Sequence, residues 1–526
     1  MSTHKKLIRS TGVISFATAL SRVLGFFRDI LFARYFGTNI FAQAFVVAFR
    51  LPNMLRDMIG EGATDAAIVP ILTEYQHTRS QEEYWNVAKV ILNLMLTVLV
   101  ALSVLGVIFA PLFIRIMAPG FLDDPEKFAL TVSLTRWMFP YILLVGLVAY
   151  AKGVLNSLHY FTTPAFSSVV LNVTMILTLL VLCPIIGVKG MVAGVLIGGI
   201  LEVLIQIPPL KARGFTFGGG FKIAHPVASR IGKLLMPRVL GSGVYQFSVL
   251  VDTVLASLSW IVGAGGVAAL YFSTRLVQLP LAVFGVALAT AALPRLTKEI
   301  ATGDLEQFRK TISFSLKIVF LIMLPSTIGL MMLAEPIVRI LLQRGEFTSY
   351  STAITANALF FYTFGLFAYS GIKILVSAYY SMGDTRTPVK TATIALGVNI
   401  CLNLILMWPL KVGGLALSTS VAAMMNFVML YTRLSRKVGD IGTESIMSSV
   451  GRIALATAIM AVFLWATSFL LLRDGVFYGM GRFIALFGVV CGAGVVYVGA
   501  AYYLKVEEIR KLTAIIGARC NKVQGA

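Results

Sequence analysis

The sequence predicts an all-α polytopic membrane protein: about 14 transmembrane helices, in two pseudo-symmetric six-helix lobes plus two C-terminal helices. Three observations carry this. Of 526 residues, 58% are hydrophobic and only 13% charged, whereas soluble domains carry roughly a quarter charged. Apolar runs of about 20 residues, the length that crosses a bilayer, recur from end to end. The two halves also resemble each other in sequence.

The runs place helices at about 11–36, 40–60, 85–117, 128–156, 161–184, 188–208, 227–262, 266–294, 308–334, 350–382, 388–408, 412–434, 449–472 and 480–504. The first run carries arginines and has no small-residue cleavage site, so it reads as a retained span and not a signal peptide. The third run, "VILNLMLTVLVALSVLGVIFAPLFI", is apolar all round, as a lipid-embedded helix must be. Segment 62–76 reads as a cytoplasmic extension of the second helix.

Charge sets the orientation. With both termini inside, cytoplasmic tails and loops hold about two dozen Lys and Arg against about eight outside, the positive-inside pattern. Lys211, Arg213, Arg295, Lys298, Arg436 and Lys437 are on the inner side; Lys127, Lys189, Arg344 and Lys411 on the outer. The net charge of +21 is therefore mostly topological. No soluble basic domain exists for a nucleic acid. Cys183, Cys401, Cys491 and Cys520 have no paired or metal-like spacing. His4, His77, His159 and His225 are scattered, the run Asp123, Asp124, Glu126 reads as a solvated loop, and no P-loop appears, so an intramembrane enzyme or ATP-driven pump lacks support.

The repeat is legible in four pairs. Pro70 and Pro294, Pro164 and Pro388, and Gly190 and Gly414 lie 224 residues apart; Arg50 and Arg275 lie 225 apart. A duplicated six-helix unit follows, its halves related by an axis along the membrane normal, with a site between lobes. The expected layout is an N-lobe at 1–210, a cytoplasmic linker at 211–226, a C-lobe at 227–438, and helices 13 and 14 with a tail at 439–526.

The first two helices hold Arg22, Arg28, Arg34, Arg50 and Arg56, with Asp29, Glu61 and Asp65 as acids. Each arginine at the bilayer centre costs roughly 2.5–3.5 kcal/mol. Arg34 reads as an anchor at the outer end. Arg22 and Arg28 are deeper, with Gly25 between them to permit a bend. Arg56 follows Pro52, and Arg275 is the C-half counterpart of the second-helix arginines. Arg22, Arg28, Arg56 and Arg275 converge most simply on a wet cavity for a multiply charged anion. Guanidinium suits phosphate because its planar fork bonds two oxygens at once. In the C-half, Asp252 sits mid-helix, Asn399 and Asn403 share one helix face, and Thr419 lies on the next helix. These oxygens suit a hard cation such as sodium; interhelical hydrogen bonding, which needs no ion, is the alternative.

"SRVLGFFRD", "AFVVAFRLPNMLR", "EGA…VPIL", "YFSTRLVQLP", "GVALATAALPRL" and "DTRTPVK" resemble the MurJ (MviN) family of lipid II flippases, within the multidrug/oligosaccharidyl-lipid/polysaccharide exporter superfamily. The resemblance implies a substrate with a diphosphate, a sugar–peptide head and a polyprenyl tail, flipped by alternating access across a bacterial inner membrane for cell-wall synthesis. It implies no organic cofactor, and lipid II, membrane lipids and other cell-wall synthesis proteins as partners. By resemblance Ser21, Arg22, Arg28 and Asp29 fall on the first-helix motif, Asn53, Arg56 and Glu61 on the second, and Arg275 on the eighth. Arg50 and the acids Asp29 and Glu61 are expected as gating ion-pair residues. Helices 13 and 14 would form the groove for the lipid tail. Gln43 and Thr274 stand where members often carry acids, and Asp65 where a small polar residue is common. The alternative is an exporter of another polyprenyl-diphosphate-linked glycan or of a drug. A carrier of organic cations would line its cavity with acids and aromatics instead.

Overall fold

The computed structural model describes residues 3–57, 67–216, 218, 225–471 and 479–510. Every regular element among them is helical. Ten helices are long and apolar enough to cross a membrane, or eleven counting the bent pair Ser349–Thr363 and Leu366–Ser381, which meet at 45°. The predicted runs are all represented, many of them broken into two rods. Gln81–Ile108 gives way at Phe109 to Ala110–Met117, and Pro125–Met138 ends just before Pro140. Gly266–Pro280 passes through a π-turn, Leu281–Gly285, into Val286–Ala301. Several breaks coincide with proline, which lacks the N–H that the helix ladder needs. The expected extension at 62–76 is instead a separate helix, Val69–Thr78, whose connection to the second helix lies outside the described residues.

The duplication is visible in the backbone. Helices starting at Gln81, Ala110, Pro125 and Thr162 are matched 224 residues later by helices starting at Leu305, Ala334, Ser349 and Arg386. Their caps repeat too. Ser80 and Asp124 accept from backbone N–H groups of Glu83 and Lys127; Asp304 and Thr348 do the same for Gln307 and Ser351. Gly190 and Gly414 do one job: each lets its helix meet the end of the preceding one. A Cβ at Gly190 would lie 2.8 Å from the Cys183 nitrogen, and one at Gly414 2.1 Å from the Leu406 carbonyl oxygen.

A further repeated feature uses different chemistry in each half. Asp384 accepts from the Thr387 hydroxyl at 2.8 Å and pairs with Lys437 at 2.9 Å. At the positions 224 residues earlier, the Thr163 hydroxyl donates to the Tyr160 hydroxyl at 3.1 Å, and the Arg213 guanidinium lies 4.0 Å over the Tyr160 ring. Both fasten a helix start to a later basic segment, once by an ion pair and once by a cation–π contact.

The chain forms two compact units, residues 1–260 with 344–347, and 261–343 with 348–526. Helix Pro226–Ser257 belongs to the second half by repeat but packs within the first unit, against Gln81–Ile108, Ala110–Met117 and the turn Pro119–Phe121. Gly120 makes this possible: its N–H donates to Ser257 Oγ at 3.1 Å, and a Cβ there would lie 2.1 Å from the Ser257 carbonyl oxygen. In the second unit, the last two helices, Thr443–Leu471 and Met480–Tyr503, pack with Leu305–Met332 around Leu321, Ile453, Leu464, Leu486 and Val489. The Tyr497 hydroxyl donates to the Leu321 carbonyl at 2.6 Å.

Candidate substrate-binding site

The first helix, Thr3–Phe36, runs without interruption and lies along Thr162–Val181. Gly25 is the point of close approach: a Cβ there would sit 3.5 Å from Asn172 Oδ1. Its role is thus to admit a neighbour. One turn on, Arg28 donates to Asn172 Oδ1 at 2.9 Å and to Asp29 Oδ1 at 2.8 Å, with Met175 Sδ at 3.6 Å. Asn172 in turn donates to Ser21 Oγ at 3.1 Å and to the Ser168 carbonyl at 2.9 Å. Ser21, Arg28 and Asp29 therefore come together as expected, around an asparagine the sequence analysis did not single out. The guanidinium is largely buried and held from two helices, so its orientation is set before any ligand arrives.

Arg22 is exposed and has no side-chain hydrogen bond or ion pair among the described residues. Arg34 is exposed at the helix end, where its own carbonyl accepts from Glu346 N–H at 2.9 Å; this fits the anchoring role. Arg50 and Asn53 are partly buried on Ile40–Arg56. Arg56 ends that helix, 3.4 Å from Asp57, and acts electrostatically on the buried Tyr141 hydroxyl, as do Arg28 and Glu202. Arg28 and Arg56 thus share one neighbourhood in the first unit. Glu61 and Asp65 lie outside the described residues. Arg275 is in the second unit, 4.9 Å over the Tyr271 ring and 3.3 Å from Gln278 Oε1.

Three residues carry signals that sequence reasoning passed over. Asn172 is the polar break in "VVLNVTM". Glu202 is a lone carboxylate in "GGILEVL", 6% exposed, accepting from Ser167 Oγ at 3.0 Å. An ionisable side chain at such depth marks function by default; its place near a helix end hid it. Lys127, read from sequence as a loop charge, is 6% exposed. It donates to Gln43 Oε1 at 3.1 Å and lies 3.8 Å over the Phe121 ring. Gln43, one of the two departures from the family pattern, thus has a cation for a neighbour. Thr274, the other, bonds only to carbonyls of its own helix, Leu270 and Tyr271.

Asn399, Asn403 and Thr419 meet in the second unit. Asn399 donates to Thr419 Oγ1 at 3.2 Å and Asn403 to Asn399 Oδ1 at 3.1 Å, both amides being buried. This is the interhelical bonding held as the alternative to an ion. Asp252 is buried on Pro226–Ser257 in the first unit. No cluster of three or more His, Cys, Asp or Glu occurs among the described residues.

Residues 32–483 match the family described as lipid II flippase MurJ. The chain belongs to the MurJ family. A probable lipid II flippase MurJ of Buchnera aphidicola from Acyrthosiphon pisum is 34% identical, over 90% of this chain and 91% of the relative. The Vibrio cholerae protein of the same description is 34% identical over 88% and 90%. A solved MurJ in an inward closed conformation superposes with a TM-score of 0.80 at 27% identity, covering 95% of this chain and 99% of that one. An inward-facing multidrug transporter of the MATE family has a TM-score of 0.65 at 16% identity, over 80% of this chain and 96% of that one, a likeness of fold alone. The MurJ motifs in the first two helices are thus mounted on the MurJ fold, as the resemblance implied.

Proposed function

We propose that this protein flips lipid II, the undecaprenyl-diphosphate-linked peptidoglycan precursor, from the inner to the outer leaflet of the bacterial inner membrane by alternating access. Membership of the family supports the substrate. The observation that carries the chemistry is Arg28, a guanidinium at bilayer depth oriented by Asp29 and Asn172. Arg22, Arg56 and Arg275 complete the cation set, with Ser21 and Asn53 as neutral donors. The diphosphate binds these groups from inside while the polyprenyl tail stays in lipid. Outward movement of negative charge is favoured by an inside-negative potential, by roughly 2.3 kcal/mol per charge per 100 mV. Both termini are cytoplasmic in this reading, as the Lys and Arg asymmetry requires. We also propose sodium as the coupling ion, on the donor chemistry of Asp252, Asn399, Asn403 and Thr419; exchanging sodium for choline should slow flipping.

The test is rescue of a bacterium depleted of its own lipid II flippase, reading lipid II exposed on the outer face. Wild type should restore exposure, and Arg28→Ala, at equal membrane abundance, should not. Inserted wild type that exposes no lipid II would overturn the substrate.

A further inference from the structure

Glu202 is a buried carboxyl that the proposed cycle does not use. It sits on Lys189–Leu204, and its only printed side-chain bond is from Ser167 Oγ on the neighbouring helix. One hydroxyl leaves a buried carboxylate short of compensation, so any cation within reach is drawn to it. The cation that faces it is Arg56. Between them stands Tyr141, fully buried, on which both groups act electrostatically, and whose hydroxyl has no hydrogen-bond partner. Arg28 also acts on that hydroxyl from the first helix. A buried hydroxyl left without a partner between an acid and an arginine marks an arrangement that is not closed in this state.

We propose that Glu202 is an internal counter-anion that competes with the substrate diphosphate for Arg56. This rests on the reading of Arg56 as a substrate-binding residue. When the cavity is empty, the carboxylate attracts the guanidinium and Tyr141 relays between them. The arriving diphosphate, which can take two N–H groups of the fork at once, displaces it. When the head group leaves on the far side, the carboxylate reclaims Arg56, which speeds release and limits rebinding. Glu202 is thus a positioning residue acting through Arg56, and it makes binding deliberately weaker than the arginines alone would allow. A phosphodiester-linked diphosphate keeps its charge across the neutral range, so protonation of Glu202 is the change that strengthens binding there. The groups facing Glu202 are Arg56, Tyr141 and Ser167.

The test uses the full-length protein in detergent and in proteoliposomes, with a short-chain polyprenyl diphospho-sugar as probe. Glu202→Gln, which keeps shape and can still accept from Ser167, should bind about five- to tenfold tighter than wild type at neutral pH. Wild-type affinity should rise as pH falls, and the variant should lose that dependence. In flipping assays the variant should show a lower KM together with a lower kcat, a split that a merely structural role would not produce. Ser167→Ala, which leaves the carboxyl in place, should keep the pH dependence. If Glu202→Gln binds as wild type does, with the same pH profile, while Arg56→Ala loses binding, the counter-anion role is wrong and the site stands. If Arg56→Ala binds normally, the site reading and the counter-anion role fall together.

Discussion

At the scale of the residue, the decisive feature is how an arginine is tolerated in an apolar helix. Arg28 has a carboxylate beside it and an amide oxygen supplied from another helix. Asn172 does the finer work, because it fixes the guanidinium plane and is itself fixed by Ser21 and Ser168. Replacing Asn172 by Ala should leave a buried charged donor short of a partner, costing about 1.5–3 kcal/mol. Lipid II exposure in the rescue assay should fall several-fold with folded protein still in the membrane. Full activity for this variant would show that Arg28 is oriented by Asp29 alone. The arginines, Ser21 and Asp29 were legible in the sequence because charge in hydrocarbon is conspicuous. Asn172, Tyr141 and Glu202 were not, since a neutral or single polar residue in an apolar run has many bland explanations, and only packing shows what it faces.

At the scale of the element, the two halves solve the same geometric problems at equal spacing with unequal side chains. The close approach at Gly414 is tighter than that at Gly190, because the added Cβ would meet a carbonyl oxygen at 2.1 Å rather than a backbone nitrogen at 2.8 Å. Gly414→Ala should therefore lower stability in detergent by about 1–3 kcal/mol, and more than Gly190→Ala does; thermal unfolding of the two variants decides. The fastening at Asp384 carries a pH signature that its aromatic counterpart at Tyr160 lacks. Burial pushes the Asp384 carboxyl up, but the Thr387 N–H and hydroxyl and the Lys437 ammonium outweigh it and hold it at about 2, below its ordinary 3.8. A carboxylate lowered in the fold stabilises above the unfolded value and loses that contribution as pH falls through the folded one. The contribution, on the order of 1 kcal/mol for a partly exposed pair, should be intact at neutral pH and fade from 3.8 down to about 2. Asp384→Asn should remove that segment of the acid-unfolding curve, and an unchanged curve would show the pair to be idle.

At the scale of the whole molecule, the last two helices stand outside the repeat yet are not loosely appended. Lys317 and Glu508 form an ion pair at 3.7 Å with side chains 11% and 3% exposed, and Ser449 donates to the same carboxylate at 3.0 Å. Glu508→Ala would leave the Lys317 ammonium buried without its carboxylate. The loss should be about 3 kcal/mol, the range for breaking a buried pair from one side. Limited proteolysis should then cut first around the final two helices, and a variant as resistant as wild type would show that their apolar packing suffices.

The sequence by itself determined the class, the helical segments, the duplication and the family. These depend on hydrophobic run length and on motif spacing, which are local and additive along the chain. Tertiary structure alone decided that Pro226–Ser257 packs with the first unit, and that Gly25 admits Asn172. It also placed Lys127 against Gln43 and brought Glu202 and Arg56 to the same hydroxyl. In each case the cause is a contact between residues far apart in sequence. Burial and electrostatics at such contacts depend on which helix faces meet, and an apolar run that is hydrophobic all round does not encode its facing direction.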